Sequence, residues 1–219
     1  MNRLLTGCLL VILAVVPAFG SSLTPTGAFS GGLSEGFEGF PNYLTSGGGN
    51  SNLVIMGGGA TFSSVGGQTW IYEPGAGANW GLGGNGTAIT NSGAKGAGLF
   101  DNQSSVAVTL TFASAVSDFG GYFAVDSGQN LGMSFFDVFN DPIDTTQFIS
   151  SQSNAMIWYG WSSSVGIKSI VFSGPLAPVM DDLQANVGNP SSTVPEPTTM
   201  VLVGSGLLGL ASRRRRTAK

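Results

Sequence analysis

The chain has 219 residues, of which 35 are glycine and only 9% are charged, whereas an average globular domain has about a quarter of charged residues. It has no histidine and a single cysteine, Cys8. The missing histidine excludes the usual nucleophilic triads and most zinc and haem sites. Between residues 21 and 190 there are two lysines and eleven acidic residues, a net charge of −9. Because such a domain repels phosphate backbones, we expect no nucleic-acid partner.

The N-terminus is typical of a secretory signal peptide, which we assign to residues 1–20. A short basic start is followed by an apolar run at residues 4–16, and the small residues Ala18 and Gly20 form a cleavage site for signal peptidase. Cleavage there would remove Cys8. The mature domain could then form no disulfide, so packing and hydrogen bonds, or a bound ion, must stabilise it.

The body of the chain shows a β pattern from beginning to end. Residues 21–34 predict a linker or an edge strand, and residues 35–187 predict one β domain. The clearest strand is 106–112, where Val106, Val108, Leu110 and Phe112 alternate with small or hydroxyl side chains. Further strands are predicted at residues 54–56, 60–64, 119–125, 133–139, 156–161, 167–172 and 179–184. Turns are predicted at residues 118–121 and 126–128, and a long glycine-rich loop at residues 74–98.

No window before the C-terminal tail predicts a helix. About eight to ten short strands in one domain predict an all-β fold, an antiparallel β-sandwich of the jelly-roll type. A linker at residues 188–193 separates this domain from the tail. We expect helices only on either side of the domain, an N-terminal signal helix and a short C-terminal transmembrane helix.

The C-terminal tail, residues 194–219, has three ordered parts. The middle part, positions 198–211, consists of apolar or small residues. A helix over residues 200–211 would rise ~18 Å, short of the ~30 Å hydrocarbon core. Basic residues after a span favour the cytoplasmic side, so residues before 195 should lie outside the inner membrane. The first part is the motif Val194, Pro195, Glu196 and Pro197, and the last is the cluster Arg213, Arg214, Arg215 and Arg216.

In these three parts the tail resembles the PEP-CTERM sorting signal of Gram-negative bacteria. The resemblance implies that an exosortase, a membrane transpeptidase-like enzyme, cuts the chain near Pro195, Glu196 and Pro197. It also implies an exported protein that is transiently anchored in the inner membrane and then reaches the cell surface or the extracellular matrix. Proteins with such tails often accompany exopolysaccharide production, so an exopolysaccharide is an expected partner.

Acidic residues lie at both ends of the β domain. Glu38 follows the first strand, and Asp181 and Asp182 lie in the last strand. If these strands are neighbours, the three carboxylates converge and offer the hard oxygen ligands that calcium requires. The pattern resembles bacterial carbohydrate-binding jelly rolls, which implies a structural calcium at these residues. The alternative is a turn at Asp181 and Asp182 that binds no metal.

Six aromatic residues are candidates for a platform that stacks sugars: Trp70, Tyr72, Trp80, Trp158, Tyr159 and Trp161. Trp70 and Trp80 border the glycine-rich loop, so we expect them to be partly exposed and assign them to glycan binding. On the strand at 156–161, alternation puts Trp158 on one face and Tyr159 and Trp161 on the other. The alternative for each aromatic residue is packing in the core.

The sequence therefore predicts a non-enzymatic, exported envelope or matrix protein whose body binds glycan. One alternative is a purely structural matrix protein. Another is a carboxylate-dependent glycoside hydrolase. Its candidate acids are Glu35, Glu38, Glu73, Asp101, Asp126, Asp137 and Asp141.

Overall fold

The computed structural model describes residues 23–41, 52–64, 67–74, 89–101, 106–125, 129–150, 155–174 and 178–188. The predicted signal helix and the predicted transmembrane helix lie outside these ranges. Within them the structure is all-β and has no α-helix, as the sequence predicts. None of the helices in these ranges is long and apolar enough to span a membrane.

The described residues form eleven strands, and every strand pairing is antiparallel. In chain order they are β1 (Leu23–Pro25), β2 (Leu33–Glu35), β3 (Asn52–Ile55), β4 (Ala60–Ser64), β5 (Gly67–Tyr72), β6 (Gly96–Asp101), β7 (Val106–Ala124), β8 (Asn130–Phe136), β9 (Gln147–Ser150), β10 (Ile157–Gly174) and β11 (Val179–Val187). A 3₁₀ helix, Met56–Gly58, joins β3 to β4.

The two longest strands, β7 and β10, pair with each other along their whole length. Ile157 lies opposite Phe123 at one end and Gly174 lies opposite Val106 at the other, with register shifts between Ser162 and Ser169. The sequence predicted each of them as two shorter strands. Small residues interrupt the apolar pattern in the middle of both, but the backbone continues in the sheet and bends at the shifts.

Strands β7 and β10 divide the sheet into two halves. The first half-sheet has the order β3-β4-β7-β10-β8-β9 and uses residues 106–112 of β7. The second half-sheet has the order β5-β6-β11-β7-β10-β1 and uses residues 116–124 of β7, with β2 beside β6 along β11. The two half-sheets share one core, so the fold is sandwich-like. Their strands belong to one sheet that is continuous through β7 and β10, and the jelly roll is not confirmed.

The inner faces of the two half-sheets form one hydrophobic core. The predicted alternation in β7 is confirmed, since Leu110 and Phe112 are fully buried while Thr109 and Thr111 are partly exposed on the other face. Burying one such apolar side chain contributes about 1.5–3 kcal/mol. A ring contact between Phe135 of β8 and Trp161 of β10, with centroids 5.1 Å apart, joins the two layers.

Candidate functional site

An irregular segment before β6, residues 91–95, is held by three carboxylates and is here named the clasped segment. Glu38 holds its C-terminal end. Glu38 Oε1 accepts hydrogen bonds from the backbone N–H groups of Ala94 at 2.7 Å and Lys95 at 2.9 Å. In return, Lys95 Nζ donates to the carbonyl oxygens of Glu38 and Phe40. These bonds attach the chain after β2 to the clasped segment.

Asp181 holds the other end of the clasped segment and is fully buried. Its Oδ2 accepts hydrogen bonds from the backbone N–H groups of Asn91 at 2.8 Å and Ser92 at 3.0 Å. Its Oδ1 accepts one from the N–H of Asp182 at 2.7 Å. Burial raises the pKa of Asp181 to about 6, although the three N–H donors favour the charged form and lower it. The carboxyl therefore changes its charge in mildly acidic solution.

Asp182 lies on the same side of the sheet as Asp181 because β11 has a bulge there. Its φ is 47°, and the register with β7 shifts between Asp181 and Gln184. In a regular strand consecutive side chains alternate between faces, and a bulge interrupts that alternation. Asp182 accepts hydrogen bonds from the hydroxyl of Ser92 and the side-chain amide of Asn91, both at 2.8 Å.

The structure thus brings Glu38, Asp181 and Asp182 to one segment. The strand before Glu38 and the last strand are neighbours as predicted, since β2 pairs with β11. The partners of the three carboxylates are protein N–H and O–H donors, which would compete with a cation for these oxygens. Among the described residues, no three acidic, histidine or cysteine side chains form a group that could hold a metal ion. The calcium site stays a prediction, and these contacts favour a role in holding the clasped segment.

Glu35 has a holding role that no sequence pattern indicated. Its Oε1 accepts a hydrogen bond from the N–H of Phe37 at 2.9 Å, and its Oε2 accepts one from Met56 at 2.8 Å. Both partners have a positive φ, 62° for Phe37 and 54° for Met56, which is unfavourable for residues with a side chain. One carboxylate therefore fixes two strained positions that are 19 residues apart in the sequence.

The two tryptophans assigned to glycan binding are not placed as expected. Trp70 lies within β5, opposite Gly98 of β6, and is only 8% exposed. The expectation of partial exposure was wrong for this residue, because it belongs to a paired strand and not to the edge of the glycine-rich loop. Trp80 lies outside the described residues, so its assignment stays a prediction.

The predicted alternation around Trp158 is confirmed. Tyr159 and Trp161 pack together on the core side, with ring centroids 6.3 Å apart and an angle of 16° between the planes. Trp158 lies on the outward face of the second half-sheet, opposite Tyr122 of β7.

On this outward face Trp158, Tyr122 and Phe29 form a cluster, here named the aromatic patch. The ring of Trp158 is 5.4 Å from the ring of Tyr122 and 5.4 Å from that of Phe29, and both pairs are T-shaped. All three side chains are partly exposed. Trp158 Nε1 donates a hydrogen bond to the carbonyl oxygen of Thr26 at 3.2 Å. The indole is therefore fixed by the strand and by the chain that follows β1.

Two glycines leave the space that Trp158 occupies. Gly120 and Gly160 lie opposite each other on β7 and β10. A Cβ atom at Gly120 would lie 2.5 Å from Trp158 Cζ2, and one at Gly160 would lie 2.9 Å from Trp158 Nε1. The sequence predicted a turn at residues 118–121, but these residues lie within β7. The absent side chain of Gly120 makes room for the indole, and no turn is formed.

The family model described as the PEP-CTERM protein-sorting motif matches residues 193–216. This match covers the tail with its Pro-Glu-Pro motif and its arginine cluster, and leaves the β domain unassigned. No curated protein and no solved structure matches the chain. The motif indicates an exported protein that is sorted by an exosortase from a membrane-anchored precursor.

Proposed function

We propose that the chain is an exported, non-enzymatic protein of the cell surface or extracellular matrix, with a body that binds glycan. The observation that carries the proposal is the sorting motif at residues 193–216. In this tail a Pro-Glu-Pro acceptor precedes a short apolar stretch and the arginine cluster. The arginines favour the cytoplasmic side of the inner membrane, so the β domain reaches the outside before the tail is cut.

A binding role for the body is supported by the second half-sheet. Its outward face carries three partly exposed aromatic side chains, Phe29, Tyr122 and Trp158. Aromatic rings offer a large apolar surface that packs against the C–H face of a pyranose. Expected partners of the protein are therefore an exopolysaccharide at the body, and signal peptidase and an exosortase at the two ends.

A non-enzymatic role is supported by how the carboxylates are used. Asp137 Oδ1 accepts hydrogen bonds from the N–H groups of Phe139 and Asp141, which is a turn-forming role. Glu35 and Glu38 accept backbone hydrogen bonds in the same way. A glycoside hydrolase instead needs two carboxyl groups that face a substrate across a cleft, about 5–10 Å apart.

The processing part is tested by the mass of the exported protein. The full chain is produced in a Gram-negative host with an exosortase and in the same host lacking it. We expect released protein without residues 1–20 and without the residues beyond Pro195. In the host without exosortase, the protein should stay in the membrane fraction with its tail intact.

A matched pair of variants controls this experiment. Pro195→Ala lies inside the motif and should reduce release, whereas Pro190→Ala lies in the preceding linker and should not. A released species that retains Arg213 to Arg216 would contradict the processing proposal. The glycan-binding part is tested separately, by binding of the protein to polysaccharides. A processed protein that binds none of them would favour the purely structural matrix role.

A further inference from the structure

We infer that the aromatic patch of Phe29, Tyr122 and Trp158 is the glycan site and that its ligand is a neutral polysaccharide. This inference rests on the glycan-binding role proposed above and adds the binding surface and the class of sugar polymer. Neither tryptophan assigned from the sequence belongs to the patch. Trp70 is buried and Trp80 lies outside the described residues.

The patch is held in place by packing and by a hydrogen bond. Trp158 fits over Gly120 and Gly160, and its Nε1 is bonded to Thr26. Tyr122 stands beside it on the neighbouring strand at 74° to the indole plane. A rigid aromatic surface loses little conformational entropy when it binds, which favours affinity.

Two segments that lie beside the patch are also fixed. On one side, the chain after β1 is bonded to β11, because the N–H of Gly31 donates to Gln184 Oε1 at 2.9 Å. On the other side, the clasped segment is bonded to Asp181, which lies opposite Tyr122. Aromatic side chains with a few placed polar groups beside them are also typical of the lining of small-molecule sites.

The charges around the patch select the class of ligand. Asp118 is on the same face of β7 as Gly120 and Tyr122, and Asp181 and Asp182 lie next to Tyr122 on β11. Of the two lysines in the described residues, Lys168 is bonded to the carbonyl of Phe112 on the first half-sheet. Lys95 lies at the far end of the clasped segment, where its own N–H is bonded to the carboxylate of Glu38 and its ammonium group to the carbonyl of Phe40.

Carboxylates therefore outnumber cations around the patch, which makes the potential there negative. A polymer of uronic acids or sulfated sugars would be repelled, whereas an uncharged polymer would not.

The inference is tested by native affinity electrophoresis of the full chain in a detergent without a sugar headgroup. One gel contains a neutral β-glucan and a second contains polygalacturonate. We expect retardation by the glucan and none by polygalacturonate. Trp158→Ala and Phe29→Ala should each weaken glucan binding about tenfold or more. The control Phe148→Ala removes an aromatic side chain that is 68% exposed on β9, far along the first half-sheet, and should change binding less than twofold.

A second measurement separates binding from folding. Trp158→Phe keeps a ring in place, so it should retain part of the affinity. A soluble oligosaccharide of the glucan should change the tryptophan emission of the unmodified chain. This change should be lost in Trp158→Phe. The melting temperature of the variant should stay close to that of the parent, which shows that it is folded.

Each outcome has a distinct meaning. Glucan binding that survives Trp158→Ala and Phe29→Ala overturns the patch but leaves glycan binding of the body intact. Retardation by polygalacturonate in preference to the glucan overturns the neutral class. Absence of binding to both polymers overturns the patch, and absence of binding to a wider set of polysaccharides overturns the glycan-binding function itself.

Discussion

The two half-sheets present very different outward faces, although β7 and β10 run through both. In the first half-sheet β7 exposes the hydroxyl side chains of Thr109 and Thr111, and their neighbours on β4 are Ser63 and Thr61. In the second half-sheet the same strand carries Tyr122 on its outward face. The neighbours of Tyr122 are Trp158 on β10 and Asp181 on β11. The change takes place within one strand, on either side of its bend.

The two faces differ in what their side chains require. Those of the first half-sheet need only contact with water, whereas Trp158 in the second needs neighbours that leave room for its ring. Threonine and serine suit the solvent side of a strand and need no particular partner. Trp158 instead requires a glycine on each of two strands and an acceptor from the chain after β1. We therefore expect equal changes on the two faces to have unequal effects on stability.

The largest effect is expected at Gly120. In Gly120→Ala the new Cβ would lie 2.5 Å from Trp158 Cζ2 and 2.9 Å from the carbonyl oxygen of Tyr159. Since backbone cannot move aside easily, we expect the free energy of unfolding to fall by about 2–3 kcal/mol. The measurement is urea denaturation followed by circular dichroism. The control Gly27→Ala, where a Cβ meets no atom within 4 Å, should change stability by less than about 0.5 kcal/mol. Equal values for the two variants would show that the indole is not held as described.

The next effect concerns the clasped segment. Asp181→Ala removes the acceptor for the N–H groups of Asn91 and Ser92. Leaving such donors without a partner costs about 1–3 kcal/mol of unfolding free energy. Asp181→Asn keeps one carbonyl acceptor and should lose less. Hydrogen exchange of the Asn91 and Ser92 amides should be faster in Asp181→Ala. Unchanged exchange rates would show that Asp181 does not hold the clasped segment.

The same residue predicts a pH dependence. Burial raises the pKa of Asp181 from 3.8 to about 6 in the folded state, so the folded protein binds this proton more tightly than the unfolded chain does. The stabilisation is complete below about pH 4 and is lost as the pH rises through about 6. Denaturation at pH 4.5 and pH 7 should therefore show a larger difference between the parent chain and Asp181→Ala at the lower pH. A larger difference at pH 7 would mean that burial does not dominate this pKa.

Much of the fold follows from the sequence because strands leave a local signal. The alternation of residues 106–112 predicted both β7 and the face that it buries, and the absence of helical periodicity in the β domain predicted an all-β body. What the sequence could not show is that two pairs of predicted strands are single long strands. The interruptions at residues 113–115 and 162–164 contain only small side chains, so no apolar pattern marks that the strand continues.

The candidate site was harder to predict because it depends on distant contacts. The pairing of β2 with β11 was enough to bring Glu38, Asp181 and Asp182 to one segment. The donors that meet them come from residues 91–95, which the sequence assigned to a long loop. Of the aromatic patch, the sequence indicated only Trp158 as a candidate, and Tyr122 and Phe29 were missed for a related reason. The members of the patch come from three separate segments, and the glycine that makes room for Trp158 resembled a turn residue.

A smaller effect is expected on the first half-sheet. Thr111 lies on a central strand, between Thr61 of β4 and Ser169 of β10, with its side chain partly exposed. Thr111→Ala should lower the free energy of unfolding by less than about 1 kcal/mol, since the loss is limited to strand preference and contacts with small neighbours. The measurement is the same urea denaturation. If Thr111→Ala lowered the free energy of unfolding as much as Gly120→Ala does, the two faces would not differ in their need for fitting neighbours.

The smallest effect is expected from calcium. If Glu38, Asp181 and Asp182 formed an ion site, calcium at a hundredfold excess over its Kd would stabilise the fold by ~2.7 kcal/mol, a rise of roughly 5–10 °C in Tm for a domain of this size. However, the oxygens of these carboxylates already accept hydrogen bonds from Asn91, Ser92 and their neighbours. An ion would compete with those donors for the same oxygens, and each hydrogen bond that it displaces offsets part of the gain. We therefore expect Tm in millimolar calcium and in chelator to agree within about 1 °C. A different result would establish the ion site: calcium raises Tm by several degrees, and this rise disappears in Glu38→Gln but persists in the turn variant Asp137→Asn. The hydrogen bonds to the clasped segment would then describe the calcium-free form of the site.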